Sequence, residues 1–428
     1  MYANEYSSRN LDELIRVNEL SQFPFLRKKH NRNDYVRKIS DGLADRSFRF
    51  FGFKQVRVGG FFAYEPIKLG DRLILRRANN IVRRAYRVKQ SDRNDIVQQM
   101  IKLCAEPVRK YVIKLDIKKF YESVDRFAVL SKLDGDQLLS SQTRWLLKEA
   151  LAKISERVPN GLPRGLSISA TLSEVIMGDF DREARKIKGV YFFARYVDDL
   201  LLFCTEDPQG IVEKIKRLLP SGMNINGEKS KIAFVGCTCF GSCSHAGAIC
   251  PCAQKCICAP SPNNRWDLSY LGYRISFNNI PGPSEKKKMA VDVGLSKSKV
   301  DRYKSRIVYA FLDHVKNPEF ELLEKRIRFL CENTKISGPA LRGKLQTGIR
   351  FNYPFINDYT ELKNLDVFLK KQVFSSTGAH GRKISSVLSH SEKTALAQYS
   401  FRSGHESFRS GSVHSTAFGK IRSCWKNG

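Results

Sequence analysis

The middle of the chain has the clearest pattern of apolar and polar positions. Runs rich in β-branched and aromatic residues predict strands at 111–115 and 231–235 and a hairpin at 192–203. Between these runs, apolar residues recur at helical spacing over 142–154 and 170–186. We therefore predict an α+β fold in which helices pack against a mostly antiparallel sheet.

The region after residue 285 has a helical pattern. Val300, Ile307 and Phe311 recur on one apolar stripe, and most of the neighbouring lysines and arginines fall off that stripe. Two more helices are predicted, one near 320–331 and one near 360–373. This part of the chain is therefore expected to be largely helical.

The two ends of the chain are less regular. The first 110 residues are very basic, and the short apolar run Leu73-Ile74-Leu75 predicts a strand edged with cations. The C-terminal segment is rich in serine, glycine and arginine, and it repeats Ser-Phe-Arg-Ser-Gly at 400–404 and 407–411. Such a composition predicts a disordered tail that contacts nucleic acid through its charge.

Two adjacent carboxylates, Asp198 and Asp199, interrupt the apolar run at 192–203. Two like charges beside buried strands cost free energy unless a cation compensates them. A hard divalent ion such as Mg2+ is the natural partner of carboxylate oxygens. The alternative is a surface turn that uses aspartate, which is a common turn residue.

A third carboxylate, Asp116, ends the predicted strand at 111–115. At the tip of a buried strand it could meet the Asp198–Asp199 pair of a neighbouring strand. Three carboxylates would hold two Mg2+ ions, of which one activates a 3′-hydroxyl and the other steadies the leaving pyrophosphate. The alternative is that Asp116 caps the helix that follows the strand.

The net charge narrows the choice of partners. The 428 residues include 74 lysines and arginines against 43 aspartates and glutamates, a formal net charge of +31. Such an excess is typical of a protein that binds nucleic acid, although a merely solvated basic surface is the alternative. No apolar run approaches the roughly 18 residues that cross a bilayer. The N-terminus also lacks a secretory pattern, so we expect a cytoplasmic protein without membrane contact.

Five segments in order resemble motifs of reverse transcriptases. Three of them resemble motifs A, B and C: Asp116 with Phe120-Tyr121, the run 161–169 (Gly-Leu-Pro-Arg-Gly-Leu-Ser-Ile-Ser), and Tyr196-Val197-Asp198-Asp199. The run 226–231 (Asn-Gly-Glu-Lys-Ser-Lys) resembles motif D, and Tyr270-Leu271-Gly272-Tyr273 resembles the primer grip, motif E. Upstream, the segment 91–99 is similar to a fingers motif of group II intron and retron enzymes.

The resemblance implies roles for individual residues. The metal site would comprise Asp116, Ile117, Asp198 and Asp199, which would hold two Mg2+ ions. Tyr121 would lie under the sugar and exclude a ribose 2′-hydroxyl, and Lys229 could protonate the leaving pyrophosphate, a solvated lysine being the alternative.

Further residues would contact the nucleotide or the template. Ile117, together with Pro163, Arg164 and Gly165, would line the substrate site, and Arg84, Arg87 and Arg93 would contact the triphosphate or the template. Arg164 departs from the glutamine of many reverse transcriptases, and Ala170 replaces a frequent proline. Those changes resemble the bacterial abortive-infection and unknown-group defence enzymes.

The family implies a right-hand polymerase with a fingers–palm–thumb layout. The expected bounds are fingers at 1–110, palm at 111–280, helical thumb at 285–375 and a basic tail at 376–428. It also implies an RNA template, which would be a dedicated noncoding RNA in antiphage defence, with dNTPs as substrates and DNA as product. Alternatives are a template-independent or protein-primed polymerase, and a nucleic-acid-binding scaffold with a vestigial core. A homo-oligomer or a second protein stays open.

A cysteine-rich insert lies between motifs D and E, at 236–258. Eight potential ligands occur there: Cys237, Cys239, Cys243, His245, Cys250, Cys252, Cys256 and Cys258. In a cytosolic protein such density favours thiolate–zinc bonds over disulfides. The usual Cys-x2-Cys spacing is missing, so a metal-free, redox-labile loop is the alternative.

Overall fold

The computed structural model describes seven stretches of the chain: 5–58, 60–106, 110–235, 265–278, 291–338, 345–407 and 410–425. They form two compact units. The first comprises residues 1–96 and 110–234, and the second comprises 97–109 and 235–428. The division after residue 234 precedes the cysteine-rich insert, which lies outside the described residues together with its predicted zinc site. The predicted fingers, palm and thumb bounds stay predictions.

The first unit combines helices with a ribbon and a sheet. Its strands are β1 (Phe53–Val58), β2 (Phe61–Pro66), β3 (Lys110–Asp116), β4 (Val190–Tyr196), β5 (Asp199–Cys204) and β6 (Lys231–Val235). Its helices are α1 (Ser8–Asp12), α2 (Val17–Gln22), α3 (Lys29–Ala44), α4 (Leu69–Ala85), α5 (Arg93–Cys104, which ends in the second unit), α6 (Arg126–Asp136), α7 (Ser141–Ser155), α8 (Ser167–Ala184) and α9 (Pro208–Leu218).

The central sheet of this unit has the strand order β4-β5-β3-β6. Strand β5 pairs antiparallel with both β3 and β4. Its residues Leu200–Cys204 are completely buried, which explains why this strand is an uninterrupted apolar run. The predicted strands, the helices α7 and α8, and the α+β class are confirmed.

The predicted strand at Leu73-Ile74-Leu75 is wrong, because these residues lie inside helix α4. All three are buried in this helix, together with Leu69 and Val82. The interspersed cations that suggested a strand edge are helix-surface residues, and Arg76 pairs with the buried carboxylate of Glu19 at 2.7 Å. Three consecutive apolar residues therefore belonged to a wide helical face.

The second unit has two small sheets and a set of helices. Its strands are β7 (Arg265–Tyr270), β8 (Tyr273–Asn278), β9 (Val291–Leu295), β10 (Asn333–Ser337), β11 (Leu345–Gly348) and β12 (Ser410–His414). Its further helices are α10 (Lys297–Lys316), α11 (Phe320–Cys331), α12 (Ile349–Asn352), α13 (Thr360–Phe374), α14 (Gly378–Val387), α15 (His390–Ala397), α16 (Phe401–Glu406) and α17 (Ser415–Ile421). The three helices predicted from 297 to 373 are confirmed as α10, α11 and α13.

The predicted disorder of the C-terminal tail is wrong for its described residues. Strand β12 pairs in parallel with β10, and Phe401 and Leu396 are completely buried. The first Ser-Phe-Arg-Ser-Gly repeat starts helix α16, where the Ser400 hydroxyl accepts a hydrogen bond from the Ser403 N–H. A few large apolar side chains therefore fold a segment whose average composition predicts disorder. No helix in the described part of the chain is long and apolar enough to span a bilayer.

Candidate active site

The predicted carboxylates meet at one end of the central sheet. Asp116 ends β3, Asp199 begins β5, and the two residues are partners in the antiparallel register. Asp198 lies in the tight turn between β4 and β5, next to Val197, whose φ is +60°. The Asp198 carbonyl accepts a hydrogen bond of 2.9 Å from the Ile117 N–H. Strand pairing therefore joins three aspartates from distant parts of the sequence.

The carboxylates of this site repel one another and are partly desolvated. Burial raises the pKa of Asp198, and the neighbouring Asp116 carboxylate raises it further. Burial likewise raises the pKa of Asp199, while Lys114 opposes the shift from 3.7 Å. Lys229 lies on the solvent side, with its Nζ 3.8 Å from Asp116 Oδ1. Among the described residues, burial and mutual repulsion thus outweigh the nearby cations, because the pKa of both Asp198 and Asp199 is raised.

A hard cation fits this donor set, which consists of oxygen atoms that repel one another. Ile117 could contribute only main-chain atoms, because its side chain is a hydrocarbon, which packs in the core. Among the described residues, no three histidine, cysteine or acidic side chains are already gathered as a ready set of metal ligands. The assignment of Mg2+ to these residues therefore stays a proposal.

The segment resembling motif D supports Asp116 through its backbone. The Asn226 N–H donates to the Asp116 carbonyl at 2.7 Å, and the Lys118 N–H donates to the Asn224 carbonyl at 2.8 Å. Ser230 Oγ donates to the Asn226 carbonyl at 2.7 Å and accepts from the Asp116 N–H at 3.4 Å. Lys229 belongs to this same turn, which explains its position beside Asp116.

A buried ion-pair group fixes the strand before the aspartate turn, and the sequence did not indicate it. Arg195, 5% exposed, binds Asp181 through two hydrogen bonds of 2.7 Å. It binds Glu174 through two more, of 3.0 and 2.5 Å. Both acids lie on α8, so the group ties β4 to that helix. An arginine within an otherwise apolar strand was the available signal, since a buried guanidinium requires acidic partners.

The segment 161–166 packs against the residues that follow Asp116. The Leu162 N–H donates to the Tyr121 carbonyl at 2.7 Å. Gly161, with φ +70°, approaches so closely that a Cβ there would lie 2.3 Å from the Glu122 Cα. Pro163 is buried in the same segment. The structure thus joins the segments resembling motifs A and B.

Arg164 and Gly165 contact the ribbon formed by β1 and β2. The Tyr64 N–H donates to the Arg164 carbonyl at 2.8 Å. Gly165 has φ +95°, and a Cβ there would lie 2.8 Å from the Tyr64 carbonyl oxygen. The Arg164 side chain binds Glu122, which the sequence had not singled out. The position of Glu122 directly after Tyr121 in the sequence was the signal available for this pair.

The sequence of this core matches a known protein family. Residues 72–275 match the family described as reverse transcriptase (RNA-dependent DNA polymerase). The chain contains a reverse transcriptase domain. Asp116, Asp198 and Asp199 all lie within the matched range, and the predicted right-hand polymerase fold of α+β class is confirmed.

Solved structures with weak similarity to the chain include yeast telomerases. Apo telomerase from Candida tropicalis has a TM-score of 0.36 at 13% identity, over 88% of this chain and 65% of that chain. A form truncated from its C-terminal domain has a TM-score of 0.36 at 12% identity, over 62% and 60%. Telomerase from Candida albicans in complex with a fragment of telomeric RNA has a TM-score of 0.33 at 15% identity, over 81% and 48%. The chain thus spans less than two thirds of each of these chains, and no curated protein sequence matches it.

The three arginines predicted to contact triphosphate or template lie at helix ends of the reverse transcriptase domain. Arg84 and Arg87 are exposed at the C-terminal end of α4, and Arg93 begins α5. Arg87 lines a groove of about 640 Å3 together with Asp136 and Asp179. Lys89, Lys132 and Arg182 line the same groove, so it carries both signs of charge, and the roles of the three arginines stay predictions.

Proposed function

We propose that this protein is an RNA-directed DNA polymerase that extends a 3′-hydroxyl with dNTPs. The observation that carries the proposal is the pairing of Asp116 with Asp199 beside Asp198, inside a reverse transcriptase domain. Nucleotidyl transfer depends mainly on positioning and charge neutralisation, so a site without a protein nucleophile suffices.

The proposed roles follow from the position of each side chain. Asp116, Asp198, Asp199 and the main chain of Ile117 would hold Mg2+, which when bound would neutralise charge on the reacting phosphates and the 3′-oxygen. The partly buried Tyr121 ring would exclude a ribose 2′-hydroxyl. Lys229, with an exposed side chain beside Asp116, would protonate the departing pyrophosphate.

The proposed partners are an RNA template, a DNA product and dNTPs. The net charge of +31 supports a polyanionic partner. The resemblance to bacterial defence enzymes supports a dedicated noncoding RNA template, a cytoplasmic location and a role in antiphage defence. Sequencing the RNA that co-purifies with the protein from its host tests this part: one abundant structured RNA is expected, and random cellular RNA would contradict it.

The activity itself is tested with purified protein, Mg2+ and an RNA template annealed to a DNA primer. We expect template-dependent extension with dNTPs, and none from the variant carrying Asp198→Asn and Asp199→Asn. Equal synthesis without any template would instead assign the template-independent polymerase. A double variant that kept full biological activity would assign a scaffold role.

A further inference from the structure

Arg164 and Glu122 form a two-pronged ion pair beside the catalytic aspartates. The guanidinium donates from Nε to Glu122 Oε1 at 2.7 Å and from Nη2 to Oε2 at 3.2 Å. The two side chains are 35% and 41% exposed. A planar fork bound through both prongs has one defined orientation, unlike a single contact between flexible chains.

The same guanidinium lies over two aromatic rings. Arg164 Cζ is 4.7 Å from the centre of the Phe61 ring and 5.9 Å from the centre of the Tyr121 ring. Both distances lie within the range of cation–π attraction. Arg164 therefore contacts the ring expected under the sugar, and Glu122 fixes the guanidinium in that position.

The backbone around Tyr121 is fixed independently of this pair. The Tyr121 carbonyl accepts from the Leu162 N–H at 2.7 Å, and Gly161 packs directly on the Glu122 backbone. The orientation of the Tyr121 ring then depends on the side chains that pack on it, which include Arg164 and Phe120, whose ring centre is 5.3 Å away. A ring excludes the ribose 2′-hydroxyl by steric contact only if neighbouring residues keep the ring in a fixed position.

We propose that the Glu122–Arg164 pair determines sugar specificity by holding the Tyr121 ring in the position that excludes a ribose 2′-hydroxyl. The proposal rests on the proposed function, because Tyr121 meets a sugar only if the domain binds nucleotides. It also gives Arg164 a role different from direct contact with the substrate, because Glu122 already binds its guanidinium.

The test compares incorporation of dTTP and UTP on poly(rA) annealed to oligo(dT). In Glu122→Gln and in Arg164→Gln, the preference for dTTP in kcat/KM should fall by about fivefold, the scale of a half-exposed ion pair. In Glu122→Gln, the fall should come from a lower KM for UTP. The charge-swapped variant, Glu122→Arg with Arg164→Glu, should recover part of the preference. Thermal melting checks that each variant is folded.

The matched control is Asp134→Asn. It breaks an ion pair outside the site, in which Asp134 Oδ2 lies 2.8 Å from Lys148 Nζ. The Asp134 side chain is 41% exposed, as is that of Glu122. This control should keep the wild-type preference. An unchanged preference in Glu122→Gln overturns the inference even if Arg164→Gln fails to fold. An equal fall in KM for both nucleotides in Glu122→Gln also overturns it, since a released Arg164 would then bind the triphosphate. Wild-type protein that incorporates no dTTP overturns the proposed function itself.

Discussion

Arg195 donates a hydrogen bond of 3.1 Å to the carbonyl oxygen of Val197, the residue directly before the Asp198–Asp199 pair. The same guanidinium is bound by Glu174 and Asp181. The buried ion-pair group therefore holds the aspartate turn at its first residue, and Val197 adopts a left-handed φ of +60° there. For a β-branched residue this conformation is strained, so the surrounding contacts must stabilise it.

Replacing Arg195 with methionine should destabilise the protein by about 3–5 kcal/mol, because two partly buried acids would lose their partner. Urea unfolding measures the change. Arg182→Met is the control: Arg182 is 62% exposed and pairs with Asp179, so its loss should cost less than about 1 kcal/mol. Equal effects of the two substitutions would contradict a special role for the buried group.

Replacing Asp198 with asparagine should abolish polymerase activity without loss of stability. Primer extension is expected to fall by at least about a hundredfold, the scale for removing one group that stabilises transition-state charge. Without divalent cations the melting temperature should stay the same or rise, because one of three repelling charges is removed. The exposed Asp41→Asn should change neither property. Retained extension in Asp198→Asn would remove this residue from the site.

The buried Asp71 carboxyl predicts how the stability of the protein depends on pH. Burial raises its pKa from 3.8 to about 6, although its carboxylate accepts hydrogen bonds from the Phe51 and Gly52 N–H groups. The folded state therefore binds this proton more tightly than the unfolded state, and the stabilisation is lost as the pH rises through this window. The unfolding free energy of wild type minus that of Asp71→Asn should fall by about 2 kcal/mol between about pH 4 and about pH 7.

The control for this pH effect is Asp358, whose pKa is shifted in the opposite direction. The Thr360 and Arg274 partners outweigh burial and lower the pKa of Asp358 to about 2. The Asp358 carboxylate therefore stabilises the folded state above pH 3.8, and this stabilisation is lost only as the pH falls towards 2. The difference between wild type and Asp358→Asn should therefore stay constant over the same pH range. A flat difference for Asp71→Asn as well would mean that Asp71 keeps an ordinary pKa.

Phe401 tests whether the C-terminal segment is folded. Its side chain is completely buried, with its ring 5.3 Å from that of Tyr303 between centres. Phe401→Ala should destabilise the protein by about 3–5 kcal/mol. Phe374→Ala, at a ring that is 50% exposed, should have a much smaller effect. Chemical unfolding compares the two, and equal small effects would restore the disordered-tail hypothesis.

The sequence predicted the parts of the site that lie in continuous patterns. The apolar run around Asp198 and Asp199 predicted a hairpin, and the strand ending at Asp116 predicted the position of the third carboxylate. Both succeed because runs of β-branched and aromatic residues mark strands locally, and an acidic turn interrupts such a run visibly. The prediction of disorder for the C-terminal segment failed because average composition does not show that a few residues, such as Phe401, are buried.

The sequence by itself determined the order of the catalytic segments, the basic charge and the α+β class, because periodicity and residue type are local properties of the chain. Only the tertiary structure decided which distant side chains meet. The pairing of Asp116 with Asp199, the two acids around Arg195 and the contact of Arg164 with Glu122 and Tyr121 all join residues far apart in sequence. Such contacts depend on strand register and helix packing, which no local pattern specifies.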